Sequence, residues 1–380
     1  MEREDDAWPA LCDKDPVATS SAENSVTDGL LLQQPEELAG PHAGKSPTAT
    51  ASLKIMFTVL AHPQTRLGMT ALVTLRGSAG PRQYAHPMPR PITARLVGGL
   101  GNQLFGYYAG AALAAHLGVP LILDTSWTRY GITDHGIEIR ALDLPGEWRS
   151  DSSLRARLAA PGTIPGRAVA KAIREIPVLR KPLRIYEAPG VGDDPHLFDQ
   201  PPGTRLRGYF QSWRIVEYAV SAGYPRRPAL KRPSTWLDGL ARRAVEERPI
   251  AVHVRRGDYA KVDEFGLLGA AYYEPAISRL REDAIGGPLW LFSDEPDAGR
   301  AALGRYADEA QAIVSPDGPA TEMLAMSHAA AHVIANSTFS WWGAWMNDSG
   351  TPVIAPDPWF VAGPEVHGLI PPSWTRLPAG

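Results

Sequence analysis

Two adjacent arginines close a short apolar run, Ile250-Ala251-Val252-His253-Val254-Arg255-Arg256-Gly257-Asp258-Tyr259. Strand alternation puts Ile250, Val252 and Val254 on one face and Ala251, His253 and Arg255 on the other. The run stops at Gly257, so its polar group emerges at a strand's carboxyl end. Guanidinium forks there suit a diphosphate, because they bind phosphate oxygens bidentately. A structural Arg–Asp pair at a strand end is the competing reading.

Three further clusters share this grammar of an apolar run ending in polar residues. Gly98-Gly99-Leu100-Gly101-Asn102-Gln103 follows a strand-like run and opens a helix, so its backbone N–H groups suit an anion or a polar sugar group. A tight turn with close packing is the alternative. Leu104 stands where the dinucleotide fingerprint needs its third glycine, which argues against a nicotinamide enzyme. Leu291-Phe292-Ser293-Asp294-Glu295 ends a second strand in carboxylates. Asp294 suits the two N–H groups of a guanine edge, or else caps the helix that starts near Pro296. In Ala335-Asn336-Ser337-Thr338-Phe339-Ser340-Trp341-Trp342-Gly343-Ala344-Trp345, Ser337 and Thr338 suit a phosphate at a helix N-terminus. Phe339, Trp342 and Trp345 fall near helical spacing, which reads as a core stripe for at least two of them.

Other patterns fail. Gly44-Lys45-Ser46 ends like a phosphate-binding loop, but Ala39 occupies the position of its first glycine. Arg256-Gly257-Asp258 spells a cell-adhesion tripeptide at the end of a core strand, where it is not presented. The ten histidines form no zinc pair on a convincing helix.

The elements that position these residues alternate between strand and helix. Strands are expected at 92–97, 119–123, 250–255, 288–293, 310–314, 331–335 and 352–355, with a short strand and turn at 208–213. Helices are expected at 102–116, 214–221, 234–246, 271–284, 296–305, 319–330 and 338–347. Short apolar strands between helices suit parallel sheets covered on both faces. Two such series predict two Rossmann-like α/β domains facing across a cleft, with ligands at the carboxyl ends of the strands. Residues 160–205, rich in proline and basic side chains, read as irregular. Residues 1–91 read as a mostly disordered extension with a short helix near 53–61, or as sequence preceding a true start at Met88.

The bulk numbers bound the function. The chain has 380 residues, enough for two domains, and a formal net charge of −3, so no global basic field marks a nucleic-acid binder. Its single cysteine, Cys12, excludes an intramolecular disulfide framework and a multi-cysteine zinc site. The longest apolar candidate, Leu67 to Leu75, is too short to span a membrane. A cytoplasmic protein is expected, at most in peripheral contact with the inner face of the membrane.

Taken together, Gly99-Leu100-Gly101-Asn102-Gln103-Leu104-Phe105, His253 to Tyr259, Phe292-Ser293-Asp294 and Asn336 to Trp345 resemble, in order, the signature of glycosyltransferase family 11, the bacterial α-1,2-fucosyltransferases. Gly208 to Ser212 and Tyr272-Tyr273 are similar to further family features. The resemblance spans roughly residues 92–375 and is loosest over 125–205. It implies a GT-B-like fold, with 92–248 as the acceptor-side domain and 249–380 as the nucleotide-sugar domain. It also implies inverting transfer of fucose from GDP-fucose to the 2-hydroxyl of a galactose-terminated oligosaccharide or glycolipid. By the resemblance Arg255 stabilises the leaving phosphate, with Ser337, Thr338 and Arg256 assisting, and His253 and Asp294 meet the guanosine. Phe339, Gly99, Gly101 and Gln103 are assigned to substrate binding, and Asn102 orients acceptor and donor. Asp258 is one candidate for the base, with Asp263 and Glu264 as others. No DxD-type motif adjoins these clusters, so no obligatory metal or cofactor is expected.

Overall fold

The computed structural model describes residues 89–126, 136–150, 184–257, 266–347, 350–360 and 366–380. The expectations of a disordered or spurious N-terminus, and those placed on Asp258, Asp263 and Glu264, lie outside these residues.

Two parallel sheets carry the fold, as the alternating pattern predicts. The first contains β1 (Ile92–Arg95), β2 (Leu121–Asp124), β3 (Glu147–Arg149), β4 (Ile185–Glu187) and β5 (Arg205–Arg207), ordered β3-β2-β1-β5-β4. The second contains β6 (Ile250–Val254), β7 (Leu289–Ser293), β8 (Ala310–Ala312), β9 (Ala331–Val333), β10 (Val353–Asp357) and β11 (Thr375–Pro378), ordered β11-β10-β9-β6-β7-β8. Every pairing within them is parallel. The architecture is thus the expected GT-B-like pair of α/β layers. Strands β3, β4, β5 and β11 escaped the sequence reading. Their patterns are exposed or mixed (Glu147-Trp148-Arg149, Arg205-Leu206-Arg207, Thr375-Arg376-Leu377-Pro378), too short and too charged to show an apolar run. The turn at 208–213 contains no strand; pairing stops at Arg207.

Helix α1 (Leu100–Leu117) is buried on nearly all sides over its first four turns, so it reads as apolar throughout rather than amphipathic. It ends at Gly118, whose left-handed backbone returns its N–H to Ala114 and Ala115. Helices α2 (Trp213–Ser221) and α3 (Thr235–Glu247) begin at Ser212 and Ser234, whose hydroxyls accept the N–H of Ile215 and Leu237. Helix α3 precedes the expected boundary at 248/249, yet its Leu240 and Ala244 pack with Ala251, Trp290 and Phe292 of the second sheet. The remaining helices are α4 (Ala270–Glu282), α5 (Pro296–Ala301), α6 (Pro319–Met326) and α7 (Thr338–Trp345). The expected helix 296–305 stops at Ala301, and a 3-10 segment runs from Gly304 to Glu309.

Trp341, Trp342 and Trp345 of α7 belong to the same core as α1. Phe105 lies 4.7 Å from Trp341 and 5.1 Å from Trp342 between ring centroids, and the Trp342 indole donates to the Gly101 carbonyl at 2.9 Å. A helix that follows a strand of the second sheet is thereby fastened to one that follows a strand of the first.

Candidate functional site

Each sheet reverses its strand order once. In the second sheet β7 and β8 build away from β6 on one side, while β9 to β11 build on the other. The crevice between the carboxyl ends of β6 and β9 is therefore its topological switch point, where open α/β sheets bind ligands. Arg255 leaves β6 there and Ser337 follows β9 there. In the first sheet the switch lies between β1 and β5. The glycine loop leaves β1 there, and Gln211 follows β5. The two crevices meet where α1 and α7 begin. A Cβ built on Gly101 would lie 2.5 Å from the Thr338 carbonyl carbon.

At the second crevice, Arg255 holds Asp294 at 3.4 Å, and the Arg256 backbone N–H donates to the other Asp294 oxygen at 2.9 Å. Asp294 thus bridges the ends of β6 and β7. It is not the cap of α5, which is Glu295. Each of its two oxygens meets one donor of the β6 end. The Arg256 guanidinium donates to the Leu268 carbonyl at 2.8 Å and so holds that loop. Arg255 keeps about a quarter of its side chain exposed and is the cation this crevice presents.

His253 is 3% exposed and stacks on Phe339, centroids 5.5 Å apart. Burial, with the Arg255 charge adding to it, pulls its pKa down to about 3, so the imidazole is neutral. Its Nδ1 has no hydrogen-bond partner among the described residues. Two tyrosines of α4 brace the strands from behind. The Tyr273 hydroxyl donates to the His253 carbonyl at 3.0 Å, and that of Tyr272 to the Ile334 carbonyl at 2.8 Å. The Ser337 hydroxyl accepts the Phe339 N–H at 3.3 Å and so caps α7, leaving its own proton to donate. Thr338 is half-buried beside Gly101.

At the first crevice the structure reassigns the glycine loop. Gly98 has φ 73°, a left-handed conformation that L side chains rarely adopt, and Gly99 is the N-cap of α1. The first helical N–H, of Leu100, is taken by the Glu138 carboxylate at 2.9 Å. With a carboxylate already seated on its positive end, α1 is a poor receptor for a second anion. Gly101 serves the close approach to α7. Gln103 is 1% exposed, and its amide donates to the Gly98 and Gly136 carbonyls while its oxygen accepts the Ile139 N–H. It is a structural pin, not a substrate ligand. Asn102 is the residue of this loop left facing the crevice, its side-chain oxygen accepting from Gln211 at 2.8 Å. Gln211 follows Phe210, a non-glycine residue at φ 47°.

The same sheet edge carries a charged cluster that sequence reasoning missed. Arg95 ends β1, Asp124 ends β2, Glu187 ends β4 and Arg207 ends β5. Register alone places Arg95 opposite Asp124 and Glu187 opposite Arg207. The Arg95 guanidinium lies 3.9 Å from Asp124. Burial, then the neighbouring Arg207, lowers its pKa to about 9, so it remains cationic at neutral pH. No local motif marks these residues, because each is an ordinary charge at the end of a short strand. Glu138 gave no signal either, since its cap is made across 38 residues.

Residues 239–366 match the model of Glycosyl transferase family 11. The chain is 26% identical over 300 residues to an alpha-1,2-colitosyltransferase of Escherichia coli, covering 75% of this chain and 98% of that protein. It is 36% identical over 137 residues to the O-antigen biosynthesis glycosyltransferase WbnK of Escherichia coli, covering 33% of this chain and 44% of that one. Among solved structures, fucosyltransferase NodZ from Bradyrhizobium aligns at 14% identity and TM-score 0.41, over 71% of this chain and 95% of NodZ. No described helix is long and apolar enough to cross a membrane.

Proposed function

We propose that this chain, whose residues 239–366 match the model of Glycosyl transferase family 11, is a transferase of that family that moves L-fucose from GDP-fucose to the 2-hydroxyl of a galactose-type acceptor, with inversion. The observation that carries this reading is the β6/β9 crevice inside the matched segment, where Arg255 leaves β6 and the capped N-terminus of α7 follows the neighbouring β9. Breaking the sugar–phosphate bond builds negative charge on the leaving phosphate. A fixed guanidinium and a helix N-terminus aimed there lower the barrier without reorganising. Ser337 and Thr338 supply hydroxyl donors to the same oxygens. Asp294 holds Arg255 in place rather than meeting the base, and neutral His253, stacked on Phe339, forms the floor beneath it. With the charge met by these groups, transfer requires no metal, and activity persists in chelator.

The acceptor lies at the β1/β5 crevice. Asn102, oriented by Gln211, meets both sugars, and Arg95, Asp124, Glu187 and Arg207 read the acceptor's hydroxyls. Asp258 remains the proposed base for the acceptor proton.

One second reading has a specific observation behind it. The relative matched along almost its full length is named for colitose, which is fucose lacking the 3-hydroxyl. The test is a thermal-shift series with GDP, GDP-fucose, UDP and ADP, followed by product analysis with GDP-fucose and GDP-colitose on lactose. Stabilisation by the guanine ligands alone, with a fucosylated product, supports the proposal. Turnover with GDP-colitose alone transfers the assignment to that donor, and stabilisation by UDP or ADP instead overturns both.

A further inference from the structure

A cavity of about 520 Å³ opens at the amino ends of β6, β9 and β10, the opposite end of the sheet from Arg255. Its walls include Arg227 from the α2–α3 connection, Arg248 at the end of α3, His328 and Asn347. No carboxylate is among the described lining residues. The volume falls within the range of small-molecule sites.

Two features set it apart from an ordinary surface hollow. First, Arg227 and Arg248 are exposed, and neither guanidinium has an ion pair or hydrogen bond among the described residues. Most other described arginines are committed, for example Arg226 to Glu217, Arg243 to Glu247 and Arg281 to Glu309. Arg227 belongs to the run Pro225-Arg226-Arg227-Pro228-Ala229-Leu230-Lys231-Arg232-Pro233, which has four cations and no acid. Second, Arg248 stands at φ 49°, ψ 56° as the cap of α3, a left-handed position where glycine is the usual occupant. The chain keeps an arginine there against its backbone preference.

We propose that this cavity is a second anion site, binding the phosphate group of a ligand other than the donor nucleotide through Arg227 and Arg248. Two guanidinium forks lining one cavity suit phosphate oxygens, which they bind bidentately. Val245, 80% exposed on the same rim, gives an apolar contact beside the charge. The phosphate is either that of a soluble ester or that of an anionic lipid headgroup, and the experiment separates the two.

The full chain and its R227S/R248G variant are titrated calorimetrically with inorganic pyrophosphate in excess GDP, so that any diphosphate site used by the nucleotide is filled. Both are also co-sedimented with phosphatidylcholine vesicles containing phosphatidylglycerol. Glycine at 248 suits the backbone already present, so the variant folds. Pyrophosphate binding that weakens about tenfold or more in the variant supports the site with a soluble ligand. Vesicle binding lost in the variant, without pyrophosphate binding, supports it with a lipid headgroup. Equal behaviour of the two proteins in both assays overturns the proposal. So does an equal loss in R232S/R242A, two exposed arginines that do not line the cavity, since that would make the effect one of diffuse charge.

Discussion

Gly101→Ala tests whether the starts of α1 and α7 are locked together, and whether that lock matters to chemistry. The added Cβ would lie 2.5 Å from the Thr338 carbonyl carbon and 2.6 Å from both its oxygens. Two of these three atoms are backbone, so no rotamer change relieves the contact. The first turn of α7 must retreat by about 0.9 Å to reach ordinary van der Waals separation. Its retreat is opposed by the Trp342 bond to Gly101 and by the packing of Trp341 and Trp342 on Phe105. Overpacking of this kind costs about 1–3 kcal/mol, a fall in Tm of several degrees at roughly 2–4 °C per kcal/mol for a domain of this size. Catalytic groups tolerate about 0.5 Å of displacement, and a 1 Å misplacement costs about 10²-fold in rate. The expected outcome is therefore a modest loss of Tm with a fall in kcat near 10²-fold, read by calorimetry and by a transfer assay on the same preparation. Gly239→Ala is the control. It lies inside α3 with nothing within 4 Å of its would-be Cβ, and should stabilise by about 0.5–1 kcal/mol with activity intact. An unchanged Tm in Gly101→Ala would refute the lock. A lowered Tm with normal turnover would refute the idea that α7 presents the leaving-group site.

Arg255→Lys keeps a charge but loses the fork, and should lower kcat by about 10²-fold or more while shifting Tm little, its ion pair to Asp294 being partly exposed; normal turnover would remove Arg255 from the mechanism. Glu187→Gln and Arg207→Gln should each raise the acceptor KM by about tenfold, as for loss of one charged hydrogen bond, while the stabilisation by GDP is retained; a changed GDP response would place the cluster at the donor instead. His332 is fully buried, and burial holds its pKa near about 4. Below pH ~6.5 the unfolded chain takes up this proton and the folded chain does not. Stability should therefore fall as pH drops, by about 1.4 kcal/mol per pH unit from this residue, flattening below about 4. Denaturant melts of His332→Gln, whose amide replaces the donor to the Met326 carbonyl, should show a slope smaller by one proton, and an unaltered slope would mean that His332 titrates normally in the fold.

The sequence by itself determined most of the elements and the motif positions. Apolar runs between helical stretches marked β1, β2, β6, β7, β9 and β10, because those strands are covered on both faces and must be apolar. The polar residues just beyond them, Arg255, Asp294, Ser337 and Asn102, mark strand ends, and strand ends of parallel sheets are where ligands bind. Strands β3, β4, β5 and β11 were illegible because they are three or four residues long and interleave charged with apolar side chains, so they carry no apolar run. What each motif residue does was decided only by tertiary structure. Gln103 looks like a ligand residue by type, yet its amide is consumed by backbone groups that lie near it only in the folded chain. Gly101 looks like part of an anion loop, yet it is a glycine because Thr338, 237 positions along the chain, presses against it. The Arg95, Asp124, Glu187 and Arg207 cluster and the Glu138 cap arise from strand order and from long-range contact. A hydrogen bond or a charge pair is set by proximity in space, and the local pattern of a sequence holds no record of which distant residue will supply it.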